Sequence, residues 1–154
     1  MGNTIFSASD LSRKRKDILR EARDGVALVR DTDGVGLVMM QESRLRFLER
    51  MQELTGLHVV VGRVVSKGAG VSIQELGSNS WIRVFDEGDL VELSAELGDA
   101  LQAARGDENT DLADEVVKAW RVTARQLQDP LRREVLTSSL EQSDFAEAPR
   151  PSGE

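Results

Sequence analysis

Six cationic side chains fall between positions 13 and 23: Arg13, Lys14, Arg15, Lys16, Arg20 and Arg23. Guanidinium and ammonium groups gathered at the start of a helix suit phosphate oxygens, because the helix supplies its own unpaired N–H groups beside them. Arg can also read guanine edges. The competing reading is a solvated helix face balanced by Asp17, Glu21 and Asp24.

A second candidate surface lies further along. Trp81, Leu90, Leu93, Leu97, Leu101 and Trp120 combine two tryptophans with leucines at helical spacing. Such a stripe anchors a protein partner, or closes on itself as a small core. The acids Asp86, Glu87, Asp89, Glu92, Glu96 and Asp99 around it suit a basic partner or ordinary solubility. Other chemistry is excluded by residue type and spacing. With no cysteine, thiol catalysis, disulfides and zinc–thiolate sites are ruled out. His58 is the only histidine and sits beside three valines, which reads as structural. Asp107, Asn109 and Asp111 alternate like the start of a calcium loop, but Leu112 replaces the required glycine and Lys118 the bidentate glutamate. Lys67-Gly68-Ala69-Gly70 lacks the spacing of a phosphate-binding loop. No catalytic set, metal site or cofactor is expected, and the chain reads as a non-enzyme.

The elements that must position these residues are legible in part. Thr4–Ser7 is a short β-type run. Ser9-Asp10 offers an N-cap and a first-turn acid. Leu11, Ile18, Leu19 and Ala22 make one stripe of an amphipathic helix from Leu11 to Arg23, ended by Gly25. Val26–Arg30 and Val35–Met40 are β-rich runs around Asp31-Thr32-Asp33-Gly34, whose Asp-Gly pair supplies a hairpin turn. Both faces of that hairpin are apolar: Val35, Leu37 and Met39 on one side, Val38 and Met40 on the other. A ribbon so small cannot bury two faces alone. A helix resumes at Gln41, with Phe47 and Met51 one turn apart. Thr55-Gly56 is an ordinary stopping place, and the valines of His58–Val65 suit either a strand or more helix. Residues 66–80 read as loop. Helices follow over Asp89–Arg105 and Leu112–Leu127, the latter capped by Thr110 or Asp111, and a short one from Pro130 to Leu136. From Ser138 the chain reads as a flexible polar tail.

Residues 5–51 resemble the Phd/YefM antitoxin domain. The stretches that carry the resemblance are Ile5 with Ser7-Ala8-Ser9-Asp10-Leu11, Ile18-Leu19 with Ala22-Arg23-Asp24-Gly25, Val26 with Leu28-Val29-Arg30, and Gly34 with Gly36-Leu37-Val38-Met39-Met40, then Gln41-Glu42. Ser12 stands where the family often has Arg, with Arg13 beside it, and Lys14-Arg15 replace its common Asn-Leu pair. The resemblance implies a homodimer or higher assembly whose hairpins and helices share a core. It also implies binding to the operator DNA of the protein's own operon near the start of the first helix, and a C-terminal extension that neutralises a cognate toxin. With the cations above, the expected DNA-binding set is then Ser9, Ser12, Arg13, Lys14, Arg15, Lys16, Arg20 and Arg30; Arg30 matches a position where the family often has Arg, and it either serves phosphate or simply ends the strand. The run from Trp81-Ile82-Arg83 through Ala119–Ala124 to Asp129-Pro130 is similar to the extended helical tail of actinobacterial relatives. In those the segment after the second helix is helical, which favours helix over 57–66.

The expected fold class is therefore α+β: a small sheet with helices in a dimeric N-terminal domain, then an all-helical extension. The expected division is 1–55 for dimerisation and DNA binding, 56–80 as connection, 81–137 for partner binding and 138–154 as tail. Charge divides in the same sense. The net charge is −7, but residues 1–52 hold ten Lys/Arg against eight Asp/Glu, and residues 53–154 ten against nineteen. A locally basic unit on an acidic protein can still bind phosphate. No apolar run is long enough for a membrane span and no basic-then-apolar leader opens the chain, so a cytoplasmic protein is expected. The function expected is an antitoxin-like autorepressor. The alternatives are a stand-alone transcriptional regulator and a protein-interaction adaptor without a toxin.

Overall fold

The computed structural model describes residues 4–68 and 72–129. The fold is α+β: a three-stranded N-terminal sheet followed by helices. The elements are β1 (Ile5–Ser7), α1 (Asp10–Arg13), α2 (Arg15–Asp24), β2 (Val26–Arg30), β3 (Gly36–Met40), α3 (Glu42–Lys67), α4 (Ile73–Leu76), a 3-10 segment (Gly77–Val84), α5 (Glu87–Asp107) and α6 (Asp111–Gln128). Among the described residues no helix is long and apolar enough to cross a membrane. The helix expected from Pro130 and the tail beyond it lie outside the described residues.

β2 is the central strand. β1 pairs with it in parallel, through the α1–α2 crossover, and β3 pairs antiparallel through the hairpin. Gly34, at φ +88°, supplies the positive φ that closes the loop, while the Asp31 N–H donates to the Val35 carbonyl at 2.8 Å. Register sorts the apolar residues by face, because strand side chains alternate. Phe6, Ala27, Val29 and Met39 face α2 and pack on Ile18 and Ala22 as one small core. On the opposite face Ile5, Leu28 and Val38 line up across the three strands. Among the described residues that face stays open: Ile5 is 57% exposed and Val38 56%, with Leu28 half-buried between them.

The helix expected over Leu11–Arg23 is broken. Lys14 adopts φ −118°, ψ 29°, ending α1 and starting α2. The expected stripe is correspondingly split: Ile18 and Ala22 are buried, whereas Leu11 and Leu19 stay exposed. Ser9 precedes α1 but its side chain makes no cap bond. Instead the Asp10 carboxylate turns back and accepts from the Ser7 N–H and the Ser7 hydroxyl, each at 2.9 Å.

α3 runs through Thr55-Gly56 to Lys67, so 57–66 is helix, and the division expected after residue 55 falls inside it. A glycine in mid-helix costs about 1 kcal/mol. Burial of Met51, Leu54, Leu57 and Val61 on one face outweighs that cost and the modest penalty of the valines. Gly68, at φ +65°, ends the helix with its N–H donating to the Val64 carbonyl.

The loop expected over 66–80 is replaced, from Ser72 onward, by α4 and the 3-10 segment. Ser72 and Glu75 form a reciprocal cap: the Glu75 carboxylate accepts from the Ser72 N–H at 2.9 Å, and the Ser72 hydroxyl accepts from the Glu75 N–H at 3.3 Å. Leu76 and Ile82 are then buried. A second such box, Asp86 with Asp89, starts α5. α3, α5 and α6 close a core around Leu54, Val61, Leu93, Leu97, Ala100 and Val117 that shares no buried residue with the sheet's core.

The two cores meet at a narrow junction. Gln41 is extended, and its Nε2 donates to the Arg23 carbonyl at 2.7 Å.

Candidate nucleic-acid interface

The turn from β1 into α1 is held tightly. Besides the two bonds to Asp10, the Ser9 and Ser7 hydroxyls lie 2.9 Å apart and the Ser12 hydroxyl donates to the Ser9 carbonyl at 3.1 Å. The Ala8 N–H donates to the Arg30 carbonyl at 3.0 Å, tying the turn to the end of β2. The Ser7 N–H, then its hydroxyl, then Lys14, hold the Asp10 carboxyl below the usual carboxylate range. Asp10 is therefore charged, and Lys14 Nζ lies 3.3 Å from it.

These contacts divide the expected DNA-binding set. Lys14 is paired with Asp10, Arg20 with Asp17 at 2.9 Å, and the Arg30 guanidinium donates to the Gly34 carbonyl at 3.1 Å. Ser9 and Ser12 are exposed, but their hydroxyls are engaged within the turn. Arg13, Arg15 and Lys16 are exposed, and no ion pair or side-chain hydrogen bond holds them among the described residues. The break at Lys14 concentrates these three. α2 begins afresh at Arg15, so its first N–H groups have no intrahelical acceptor and stand beside their side chains.

Lys16, Arg20 and Arg23 follow at i, i+4 and i+7, which is one row on the side of α2 opposite Ile18 and Ala22. The sheet core buries one face of α2 and leaves the other cationic. Asp17 answers Arg20, so the row is partly compensated. Lys16 at one end of the row and Arg23 at the other enter no ion pair among the described residues.

The second expected surface is rearranged. Leu90, Leu93, Leu97 and Leu101 are buried, with Leu93 and Leu97 at 0% exposure. They pack on α3 and α6 within their own chain and are not a stripe on offer to a partner. Of the expected partner-binding set these four leucines are core in this chain: a leucine row on one face of α5 serves equally as core or as anchor, and here two flanking helices cover it. Trp81 and Trp120 stay half-buried at its edge. Phe85 sits edge-on to both, with ring centres 6.2 and 5.1 Å away. The Arg121 guanidinium stacks 5.4 Å over Trp81, and the Trp120 Nε1 donates to Glu96 at 2.7 Å. Of the acids around α5, Asp86 and Asp89 are used in capping and Glu96 on Trp120, while Glu87, Glu92 and Asp99 face solvent.

His58 is half-buried with Nε2 3.0 Å from the Ser94 carbonyl, in a gap opened by Gly98, where a Cβ would lie 3.3 Å from that nitrogen. It tethers α3 to α5. Arg50 bridges α3 to α6 by donating to Asp114 at 2.7 Å, and that contact, followed by Glu53, raises its pKa further.

No family model matches the chain, no curated protein matches it, and no solved structure matches it.

Proposed function

We propose that this chain is a DNA-binding autorepressor of the antitoxin type that works as a dimer, its sheet faces closing on each other and its α1–α2 junctions meeting duplex phosphates. One observation carries the reading: among the described residues the same small unit holds an apolar sheet face left open at Ile5 and Val38, with the half-buried Leu28 between them, and a cluster of cations without ion-pair partners, Arg13, Arg15 and Lys16. Bare apolar surface on so small a sheet favours a second copy. A twofold axis through that contact doubles the cationic ends and matches them to a palindromic site. The partner, in this reading, is a basic protein such as a nucleic-acid-targeting toxin. It docks on the acidic outer surface of the helical unit near Glu92 and Asp99 and the half-buried tryptophans.

A second reading is favoured by the closed helical core. Because Leu93 and Leu97 are buried within the chain, the helical unit does not need a partner to hide them. A stand-alone regulator, with that unit as a fixed appendage, follows.

The test is titration of the protein into a fluorescent duplex taken from its own upstream DNA, with the Arg13→Ala/Arg15→Ala/Lys16→Ala variant beside it. Saturable binding by the native chain and its loss in the variant support the reading. No binding by the native chain, or undiminished binding by the variant, refutes it and leaves the adaptor. Co-expression with the neighbouring gene product separates the first two readings, since only the antitoxin retains a complex through residues 81–129.

A further inference from the structure

α3 has a second seam that the described residues leave open. One face packs Phe47, Met51, Leu54 and Val61 into the helical core. Turned away from it, Leu45, Leu48, Gln52, Thr55, Val59 and Gly62 alternate three and four residues apart, the spacing of a coiled-coil seam. Leu48 is 46% exposed and Val59 53%.

The geometry points to a second copy of this chain as the occupant, with the two α3 helices pairing antiparallel along this seam. The seam complements itself in that direction. Reflection through the midpoint between Glu53 and Leu54 sets Leu48 against Val59 of the partner, Leu45 against Gly62, and Gln52 against Thr55. Each large side chain meets a smaller one and the polar pair sits together at the centre. The flank agrees in charge. Glu49 and Arg63 lie on one edge of the seam with Gly56 between them, and neither is in an ion pair among the described residues. Helical side chains lean toward their own N-terminus, so in the antiparallel pair Glu49 reaches Arg63 of the partner. A parallel pair would instead set Leu45 against Leu45 and Gly62 against Gly62, and would leave Glu49 and Arg63 of the partner fourteen residues apart along the axis, about 21 Å and out of reach. This contact is separate from the sheet face and does not depend on DNA binding. Each chain thereby has two self-pairing surfaces, enough for assemblies beyond a dimer.

The absence of cysteine makes the test direct. Leu48→Cys/Val59→Cys places two thiols eleven residues apart on one helix, about 16 Å, beyond disulfide reach within a chain. Mild oxidation of this variant is expected to give a covalent dimer on a non-reducing gel, and neither single variant is expected to give one. Glu49→Arg added to it lowers the yield about tenfold, as two like-charge contacts replace two attractive ones, and adding Arg63→Glu as well restores it. No dimer from the double-cysteine variant, with helical circular dichroism unchanged, overturns the proposal. So does a dimer from Leu48→Cys alone, which would mean a parallel contact. Val38→Glu, which disables the sheet face, leaves the cross-link in place. Its loss there would assign Leu48 to the sheet contact and overturn the separate seam. A cross-link seen only after removal of residues 130–154 would give the seam to that segment, with the same consequence.

Discussion

Leu97 lies at the centre of the helical unit with no exposed surface, and its truncation separates core from partner anchor. Leu97→Ala removes the bulk of a side chain packed between α5 and its neighbours. The lost transfer energy and the residual cavity together cost about 2–5 kcal/mol. For a unit of this size that corresponds to a Tm lower by more than about 8 °C. Val91, on the same helix but half exposed, is the control, and Val91→Ala is expected to cost less than about 0.5 kcal/mol. The assay is thermal and urea denaturation followed by circular dichroism, with DNA binding measured on the same samples below the transition. The sheet and α1–α2 have their own core, so binding survives Leu97→Ala while the helical transition moves. If Leu97→Ala unfolds within about 0.5 kcal/mol of the native chain, the four leucines are not core.

Three further outcomes follow. The Arg13→Ala/Arg15→Ala/Lys16→Ala variant removes up to six phosphate contacts from a dimer, so any residual binding falls with salt on a log–log slope shallower by roughly five; titrations at several salt concentrations read this, and an unchanged slope places the phosphate contacts elsewhere. Val38→Glu puts a charge on the bare sheet face and is expected to abolish pairing through that face without unfolding the chain, checked by light scattering and circular dichroism. Asp10, its carboxyl held low by Ser7, adds stability that is present above its ordinary titration range and lost as pH falls from about 4 through its lowered value; Asp10→Asn is expected to flatten that part of the acid-unfolding curve, and an unaltered curve refutes the role of the Ser7 contact.

The three strands were legible because β-branched runs and the Asp-Gly turn are local signals, and Gly34 does adopt the positive φ. The continuity of α3 was less so. Thr55-Gly56 is a genuine local weakness, overridden by the burial of Leu54 and Leu57 on either side of it, which only tertiary packing supplies. Ser72 and Glu75 were a readable cap, serine followed three residues later by glutamate, hidden among the glycines and serines that marked 66–80 as loop. The break at Lys14 has no comparable signal. The cationic side chains on both sides of it are compatible with one continuous helix, no glycine or proline marks the place, and the Lys14 N–H to Asp10 carbonyl bond is an ordinary helical bond that closes α1. The candidate site was thus legible as a cluster of charges. Which of them are free was not, because Lys14 and Arg20 find their carboxylates only once the helices form. The leucine row of α5 was visible as a row, but a sequence does not say whether a row faces its own chain or another.

Sedimentation velocity of the chain at low micromolar concentration, alone and with a duplex from its own upstream region, tests the central claim most directly. A dimer, or an assembly of such dimers, that moves with the duplex as a single species is the predicted result. A single-chain species whose sedimentation the duplex leaves unchanged would contradict it.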